Sequence, residues 1–319
     1  MILKYSDNIF KQVGGVIHYN RVNIAIYSLV SFVAVTQYEL GEAIGYQPIS
    51  FPAVPITLLG SALAIFLGFR NNSAYDRWWE ARKIWGGIVN TSRTWGMMVT
   101  TFISAYRAET QLSGQIVNVA KEELVKRHIA WLYALVMHLR KFTNWDDLNT
   151  FIPEEEVVEL KAYHNKPCHL LHKQAEELQK IHENQLIDDF RHIELSEVLK
   201  DLYDLQGKAE RIKGTVFPYY YNYFTKAFLW LFVLCLPFAL APIMEWGAIF
   251  MSISISFVFT IIEKSGAITE DPFENRAADT PISTIARNIE IDLLEMIRSK
   301  IVPAPAEVKV GRFGVQYMD

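Results

Sequence analysis

The sequence has few cysteines and no strong excess of either charge. Two cysteines, Cys168 and Cys235, occur in 319 residues, and the formal net charge is −4 at pH 7. Two distant cysteines exclude a disulfide-stapled scaffold, and so small a net charge gives no basis for nucleic-acid binding. The first twenty residues contain no continuous apolar segment, so we expect no signal peptide and an N-terminus in the cytoplasm.

Sequence motifs for catalysis are also missing. Serine nucleophile elbows, phosphate-binding glycine loops and paired cysteine motifs are absent. The long apolar stretches contain no charged side chain of the kind that marks a proton or substrate relay in a membrane. The chain is therefore predicted not to be an enzyme and to need no cofactor.

Apolar sequence, in contrast, is abundant. The composition is 51% hydrophobic, and the mean hydropathy of +0.11 lies between values typical of soluble and of wholly embedded proteins. Uncharged stretches near the length needed to cross a hydrocarbon core occupy residues 22–38, 52–69, 227–244 and 246–262. These stretches predict an all-α integral membrane protein with four transmembrane helices.

The basic residues orient these spans. The loop between the first two spans has acidic residues and no Lys or Arg, whereas Arg70 and Arg77 follow the second span. Lys226 precedes the third span and Lys264 follows the fourth. The positive-inside rule then places the N- and C-termini in the cytoplasm, and we expect the protein in the cell (inner) membrane.

The rest of the chain is predicted to form a cytoplasmic helical region within a single domain, residues 1–319. Its helices are expected at residues 73–220 and 279–300, where Leu, Trp and charged residues alternate with helical spacing. The last segment, residues 301–319, contains two prolines and no periodicity. It is predicted to be an extended or disordered tail that wraps a neighbour at most.

The second span carries two parallel strips of side chains. Gly60, Ala64 and Gly68 recur every four residues, a pattern that permits close helix packing in lipid. One position further round the helix lie Ser61, Ile65 and Phe69. Both strips could fill a helix-bundle core, or one could contact a neighbour while the other faces a common axis.

The run LLGSALAIFLGFRNNSAYDRWWEARKIWG, residues 58–86, resembles the second-helix signature of the bestrophin family. Members of this family are pentameric ion channels. The resemblance implies a homopentamer around a central pore, with Ser61, Ile65 and Phe69 forming a hydrophobic neck. The family usually has an apolar residue where this chain has Ser61, so the first ring is expected to be wetter or wider.

A second resemblance begins at Pro272 and Phe273, which in the family precede acidic residues and a long helix. Animal members carry a dense acidic cluster there that binds calcium and gates the pore. This chain has Glu274 and Asp279 with Arg276 between them. Calcium takes six to eight oxygen ligands, so these two are weak metal candidates, and Asp279 is expected instead to cap the following helix.

His164, Cys168 and His172 form another weak metal candidate. Their spacing of four residues would place three ligands on one side of a helix. Pro167 interrupts this set, so exposed or packing roles are favoured over a metal site.

By approximate alignment with the family, Phe190 falls at a second, cytoplasmic aperture. Asp188 and Asp189 beside it would concentrate cations. The short chain and the sparse acidic cluster resemble bacterial members, which are similar to cation-conducting channels. The sequence therefore predicts a channel for small monovalent ions that contacts membrane lipid, with cation (sodium) conduction favoured. A chloride channel is the first alternative, and a non-conducting scaffold or sensor that dimerises through the Gly60 strip is the second.

Overall fold

The computed structural model describes residues 2–4, 8–104, 111–215 and 219–319. Within these residues the fold is almost wholly helical, which confirms the predicted all-α class. The helices are α1 (Ile9–Ile44), α2 (Ala53–Phe102), α3 (Gln111–Arg140), α4 (Glu154–Lys161), α5 (Lys166–Glu183), α6 (Asp189–Gly214), α7 (Tyr219–Met244), α8 (Gly247–Thr269) and α9 (Ile282–Met296). Short 3₁₀ helices occupy Trp145–Thr150 and Arg312–Gly314, and the strands are β1 (Ile2–Lys4), β2 (Lys309–Val310) and β3 (Gln316–Tyr317).

Helices α1, α2, α7 and α8 are long and apolar enough to cross a membrane. They contain the four predicted spans except for the first residue of the second and of the fourth, Pro52 and Trp246, and each helix continues beyond the uncharged stretch that marked it. The predicted boundaries were too short because polar residues can continue a helix outside the hydrocarbon core. Helix α2 is the extreme case, since its 50 residues correspond to about 75 Å, more than twice the thickness of that core.

The four spanning helices pack around a small apolar core. Leu63 and Leu67 of α2, Tyr27 of α1 and Phe232 of α7 are almost completely buried in it. Tyr27 also makes a 2.6 Å hydrogen bond between its hydroxyl and the Thr260 hydroxyl of α8, which satisfies both buried groups. One face of α2 is thereby turned toward its own bundle.

The second half of α2 forms a larger core with α3, α5, α6 and α9, here called the extramembrane region. Trp85 and Trp95 of α2 and Trp131 of α3 are fully buried in it. These tryptophans therefore pack in the protein interior. Because α2 is continuous, no separate helix begins near residue 73. Parts of the predicted helical stretch 73–220, residues 105–110 and 216–218, lie outside the described residues.

The C-terminal segment folds back onto its own chain: residues 301–308 have no regular secondary structure, and two short strands follow them. Strand β3 pairs antiparallel with both β1 and β2. The backbone N–H and the hydroxyl of Thr284 both donate to the Asp319 backbone oxygen at 2.7 Å. The Phe313 ring lies against Gly15 of α1, where a Cβ would meet it at 3.2 Å. Pairing with the N-terminal strand supplies contacts that the sequence of the tail does not reveal.

The start of α9 also differs from the prediction. The helix begins at Ile282 with Pro281 at the N-cap and without a side-chain cap. Asp279 accepts a 3.0 Å hydrogen bond from the backbone N–H of Arg276 and so stabilises the preceding turn. The predicted capping role of Asp279 was therefore wrong, and helix α9 is shorter than the predicted 279–300.

Candidate functional site on helix α2

One face of α2 is left uncovered by the rest of the chain. Ile65 is 62% exposed and Phe69 is 67% exposed, and Ser61 is exposed on the same face. The Ser61 hydroxyl donates to the Thr57 backbone oxygen at 2.9 Å, so its hydrogen-bond donor is satisfied within the helix. The three predicted neck residues thus form a largely apolar strip without a partner inside the subunit among the described residues.

The strip of small residues does not act as a unit. Gly60 is buried, and a Cβ there would lie 2.8 Å from the Phe232 ring of α7. Ala64 is exposed, and a Cβ at Gly68 would meet nothing within 4 Å. Gly60 therefore permits close packing of α2 on α7 within one subunit, while Ala64 and Gly68 remain free to contact another molecule.

The uncovered face continues along the whole of α2. At 100° per residue the exposed positions below Phe69 stay within about 80° of it. These positions are Asn72, Ser73, Asp76, Trp79, Lys83, Asn90, Met97 and Thr101. The stripe is apolar where α2 is predicted to lie in the membrane and mostly polar beyond it, as a water-exposed wall requires.

A buried ionic cluster lies next to the strip. The Arg70 side chain is completely buried, and its Nη1 and Nη2 atoms lie 3.2 Å from Glu263 and 3.1 Å from Glu270. Nη2 also donates to the Asn222 side-chain oxygen at 3.1 Å. One guanidinium thus joins α2 to α7, to α8 and to the residue that follows α8. Because Arg70 follows Phe69 directly, the cluster also fixes the backbone of a predicted neck residue.

Other α2 side chains bind the same stretch of backbone. Asn71 donates to the Ile262 carbonyl at 2.9 Å, Arg77 to the Glu270 carbonyl at 3.0 Å, and Trp78 to the Ala278 carbonyl at 3.0 Å. A Cβ at Gly266 would lie 2.0 Å from the Asn71 side-chain oxygen, so this close contact requires glycine. Residues 262–278 are therefore held along α2 immediately below the uncovered apolar strip.

The acidic residues that follow Phe273 do not converge on one point. Glu274 pairs with Lys213, which lowers the pKa of the Glu274 carboxyl. Asp279 is buried in the turn described above, and this burial raises its pKa. Each carboxylate already has a protein partner, so neither is presented as a free calcium ligand.

The histidine and cysteine candidates are also separated. Helix α5 begins after Asn165, whose side chain accepts a 3.1 Å hydrogen bond from the Cys168 N–H. His164 therefore lies outside the helix, and His172 faces Glu176 at 3.3 Å. In the part of the chain that the structure describes, no group of three His, Cys, Asp or Glu side chains could hold a metal ion.

The turn around Phe190 has a basic side chain beside each of its two carboxylates. Phe190 is 83% exposed in the first turn of α6. Asp188 caps that helix and pairs with Arg191 Nε at 3.3 Å. Asp189 lies 2.7 Å from Nε2 of His182 at the end of α5. The two predicted aperture carboxylates therefore each face a basic group, which sequence reasoning had not considered.

A family model described as "Bacterial/Fungal Bestrophin protein" matches residues 7–295. The chain belongs to the bestrophin family. Its resemblance to that family, inferred from two short stretches, is confirmed over nearly its full length.

Relatives of this bestrophin carry names that refer to channels. It is 32% identical to the "Voltage-dependent anion channel-forming protein YneE" of Escherichia coli K12 over 256 residues, 80% of each chain. It is 28% identical to the "Voltage-dependent anion channel-forming protein alr2987" of Nostoc over 247 residues, which covers 76% of this chain and 78% of the relative. The relatives favour a channel over an enzyme, in agreement with the sequence prediction.

Solved structures of related proteins share the fold. A crystal structure of a bacterial bestrophin homologue from Klebsiella pneumoniae superposes with a TM-score of 0.78 at 29% identity. The match covers 87% of this chain and 98% of that one. This bestrophin is thus a membrane protein with the same subunit architecture as that homologue.

Proposed function

We propose that this bestrophin is an ion channel in which five copies arrange the uncovered face of α2 around a common pore. The observation that carries the proposal is the exposed apolar strip formed by Ser61, Ile65 and Phe69, which continues into a polar stripe on the same helix. An apolar strip in a membrane does not by itself require a pore. Its continuation outside the membrane as a polar stripe is the feature that fits a water-filled pathway.

The neck of such a pore would be a hydrophobic constriction. Rings of Ile65 and Phe69 from five subunits would hinder ion passage by dewetting, and Ser61 would make the first ring wetter. The neck strip contains no charged residue, so charge selection would arise elsewhere or from the positive edges of the Phe69 rings, which attract anions.

We further propose that anions, chloride among them, are the preferred ions. The relatives are named as anion channel-forming proteins. The preference for sodium inferred from Asp188 and Asp189 finds no support in the comparisons. It is also weakened because Arg191 offsets the charge of Asp188. Sodium conduction is the alternative. Replacing sodium by an impermeant cation should leave the reversal potential unchanged if chloride carries the current, and should shift it if sodium does.

The charge distribution supports an inner-membrane location with both termini in the cytoplasm. Arg21, Lys226 and Lys264 flank the spans at one end of the bundle, and Glu39 and Glu245 lie at the other. Cytoplasmic ends of membrane helices carry such an excess of Lys and Arg. Accessibility of single cysteines at Lys4 and Glu245 to an impermeant thiol reagent in intact cells tests this orientation.

Flux through reconstituted vesicles tests the channel proposal. The double variant Ile65→Ala with Phe69→Ala widens the proposed neck and should increase chloride flux while the oligomer is retained. Its matched control is Phe32→Ala with Val33→Ala, an exposed aromatic and aliphatic pair on α1. The control should leave flux unchanged.

Two results would count against the proposal. Equal flux in the neck variant, the control and the wild-type protein would remove Ile65 and Phe69 from the ion pathway. Absence of any protein-dependent flux, together with a stoichiometry other than five, would favour the scaffold or sensor alternative.

A further inference from the structure

Two histidine rings lie together beside Phe190. His182 at the end of α5 and His192 in the first turns of α6 have ring centroids 4.7 Å apart. We infer that His182 and His192 set the charge around Phe190, so that the selectivity of the channel between anions and cations depends on pH. This inference rests on the proposed channel function and names two residues that determine its specificity.

The histidine pair lies near the C-terminal end of α2, far from the proposed neck. Arg191 Nη1 donates to the backbone oxygen of Phe102, the last residue of α2, at 3.0 Å. Phe69 and Phe102 are separated by about 50 Å along the α2 axis, and the exposed stripe connects them. A charge at this turn therefore acts on ions that travel along the same face of α2.

Only one of the two carboxylates of the turn has a fixed positive charge beside it. Asp188 is offset by Arg191, which leaves Asp189 beside His182. The side chain of Asp189 is 86% exposed, so its charge is presented to solvent. The charge of this turn then depends on whether the two imidazoles carry protons.

Other charged groups near the pair do not change with pH in the same range. Glu183 on α5 and Glu194 on α6 are exposed, and Lys180 is paired with Glu177 at 2.6 Å. The end of α2, residues 97–104, contains no charged side chain. Carboxylates and lysine ammonium groups keep their charge between pH 5 and 8, whereas unperturbed imidazoles titrate there.

Protonation of the histidines reduces the negative charge around Phe190. When the imidazoles are neutral, Asp189 has no cationic neighbour, and its negative charge lowers the preference of the channel for anions. Protonation of both imidazoles adds two positive charges to each subunit, or about ten in the proposed pentamer, which raises the permeability to anions relative to cations. Burial and the neighbouring His182 lower the pKa of His192, and Asp189 opposes them. The His192 charge therefore appears only below the ordinary range for histidine.

Reversal potentials test the inference. The full-length protein is reconstituted in planar bilayers with a sodium chloride gradient and equal pH on both sides, first at pH 8 and then at pH 5.5. The ratio of chloride to sodium permeability should rise about tenfold on acidification, the lower end of what a cleft of one charge sign achieves. The variant His182→Gln with His192→Gln should keep one ratio at both pH values.

The control variant removes two other exposed histidines, His164→Gln with His172→Gln, and should behave as the wild-type protein does. A wild-type ratio that is the same at both pH values overturns the inference while current persists. A shift retained by the His182 and His192 variant overturns it as well. Absence of current at every pH would instead overturn the proposed function, and the inference with it.

Discussion

Replacing Arg70 with methionine should destabilise the protein strongly. The guanidinium is completely buried, and it is hydrogen-bonded to Glu263, Glu270 and Asn222 at 3.1 to 3.2 Å. Methionine has similar length but no charge, so the change leaves two nearly buried carboxylates without a compensating cation. Breaking a buried ion pair in this way typically costs about 3–5 kcal/mol of unfolding free energy.

A second arginine on the same helix provides the control. Arg93 pairs with Asp292 at 2.8 Å, but its side chain is 51% exposed. Exposed pairs contribute about 0–1 kcal/mol, so Arg93→Met should be close to neutral. Denaturant unfolding in one detergent, followed by tryptophan fluorescence, measures both variants.

Removing all the charges of the cluster together tests its ionic character more directly. Since one guanidinium faces two carboxylates, the triple variant Arg70→Met, Glu263→Gln, Glu270→Gln removes every charge and should recover part of the lost stability. If Arg70→Met were as stable as Arg93→Met, or if the triple variant were less stable than Arg70→Met, the assignment of the cluster as a buried ionic joint would be refuted.

Two further predictions concern packing and pH. Gly60→Ala should lower the free energy of unfolding by about 1–3 kcal/mol through overpacking against Phe232, whereas Gly68→Ala, at an open position, should not; equal stability of the two variants would contradict this packing. His128 is fully buried beside Ser92, and its burial lowers its pKa to about 3. Since the unfolded chain then binds a proton that the folded chain does not, stability should fall as the pH decreases from about 6.5 toward 3, by at most about 1.4 kcal/mol per unit. His128→Gln should show a shallower loss over that range in pH-dependent unfolding, and an identical slope would refute the argument.

The spanning helices and the family could be predicted from the sequence because both are recognised from continuous stretches of residues. An uncharged run of sufficient length favours a membrane helix wherever it lies in the chain. The signature in residues 58–86 is continuous, and the family assignment now extends over residues 7–295. The strip of Ser61, Ile65 and Phe69 follows from helical spacing alone, and the structure leaves it uncovered.

The partners of individual side chains could not be predicted in the same way. Gly60 and Gly68 look equivalent in the sequence, yet only Gly60 faces a neighbouring helix of the same subunit. The tail at residues 301–319 has no internal pattern, and its order comes from pairing with the N-terminal strand. From the sequence, the carboxylates near Phe190 indicated a ring that attracts cations. The fold adds His182 of α5, which lies beside Asp189 and could not be located from the sequence.

The sequence by itself determined which segments are helical, which of them are apolar enough to span a membrane, and which family the chain resembles. Only the tertiary structure decided that Arg70 meets Glu263 and Glu270, residues more than 190 positions away, and that His182 lies beside Asp189. The physical reason is the difference in sequence separation between the residues that interact. Helical periodicity is determined by neighbours three or four residues apart, whereas a charge is paired by whatever residue the packing of distant helices brings within about 4 Å.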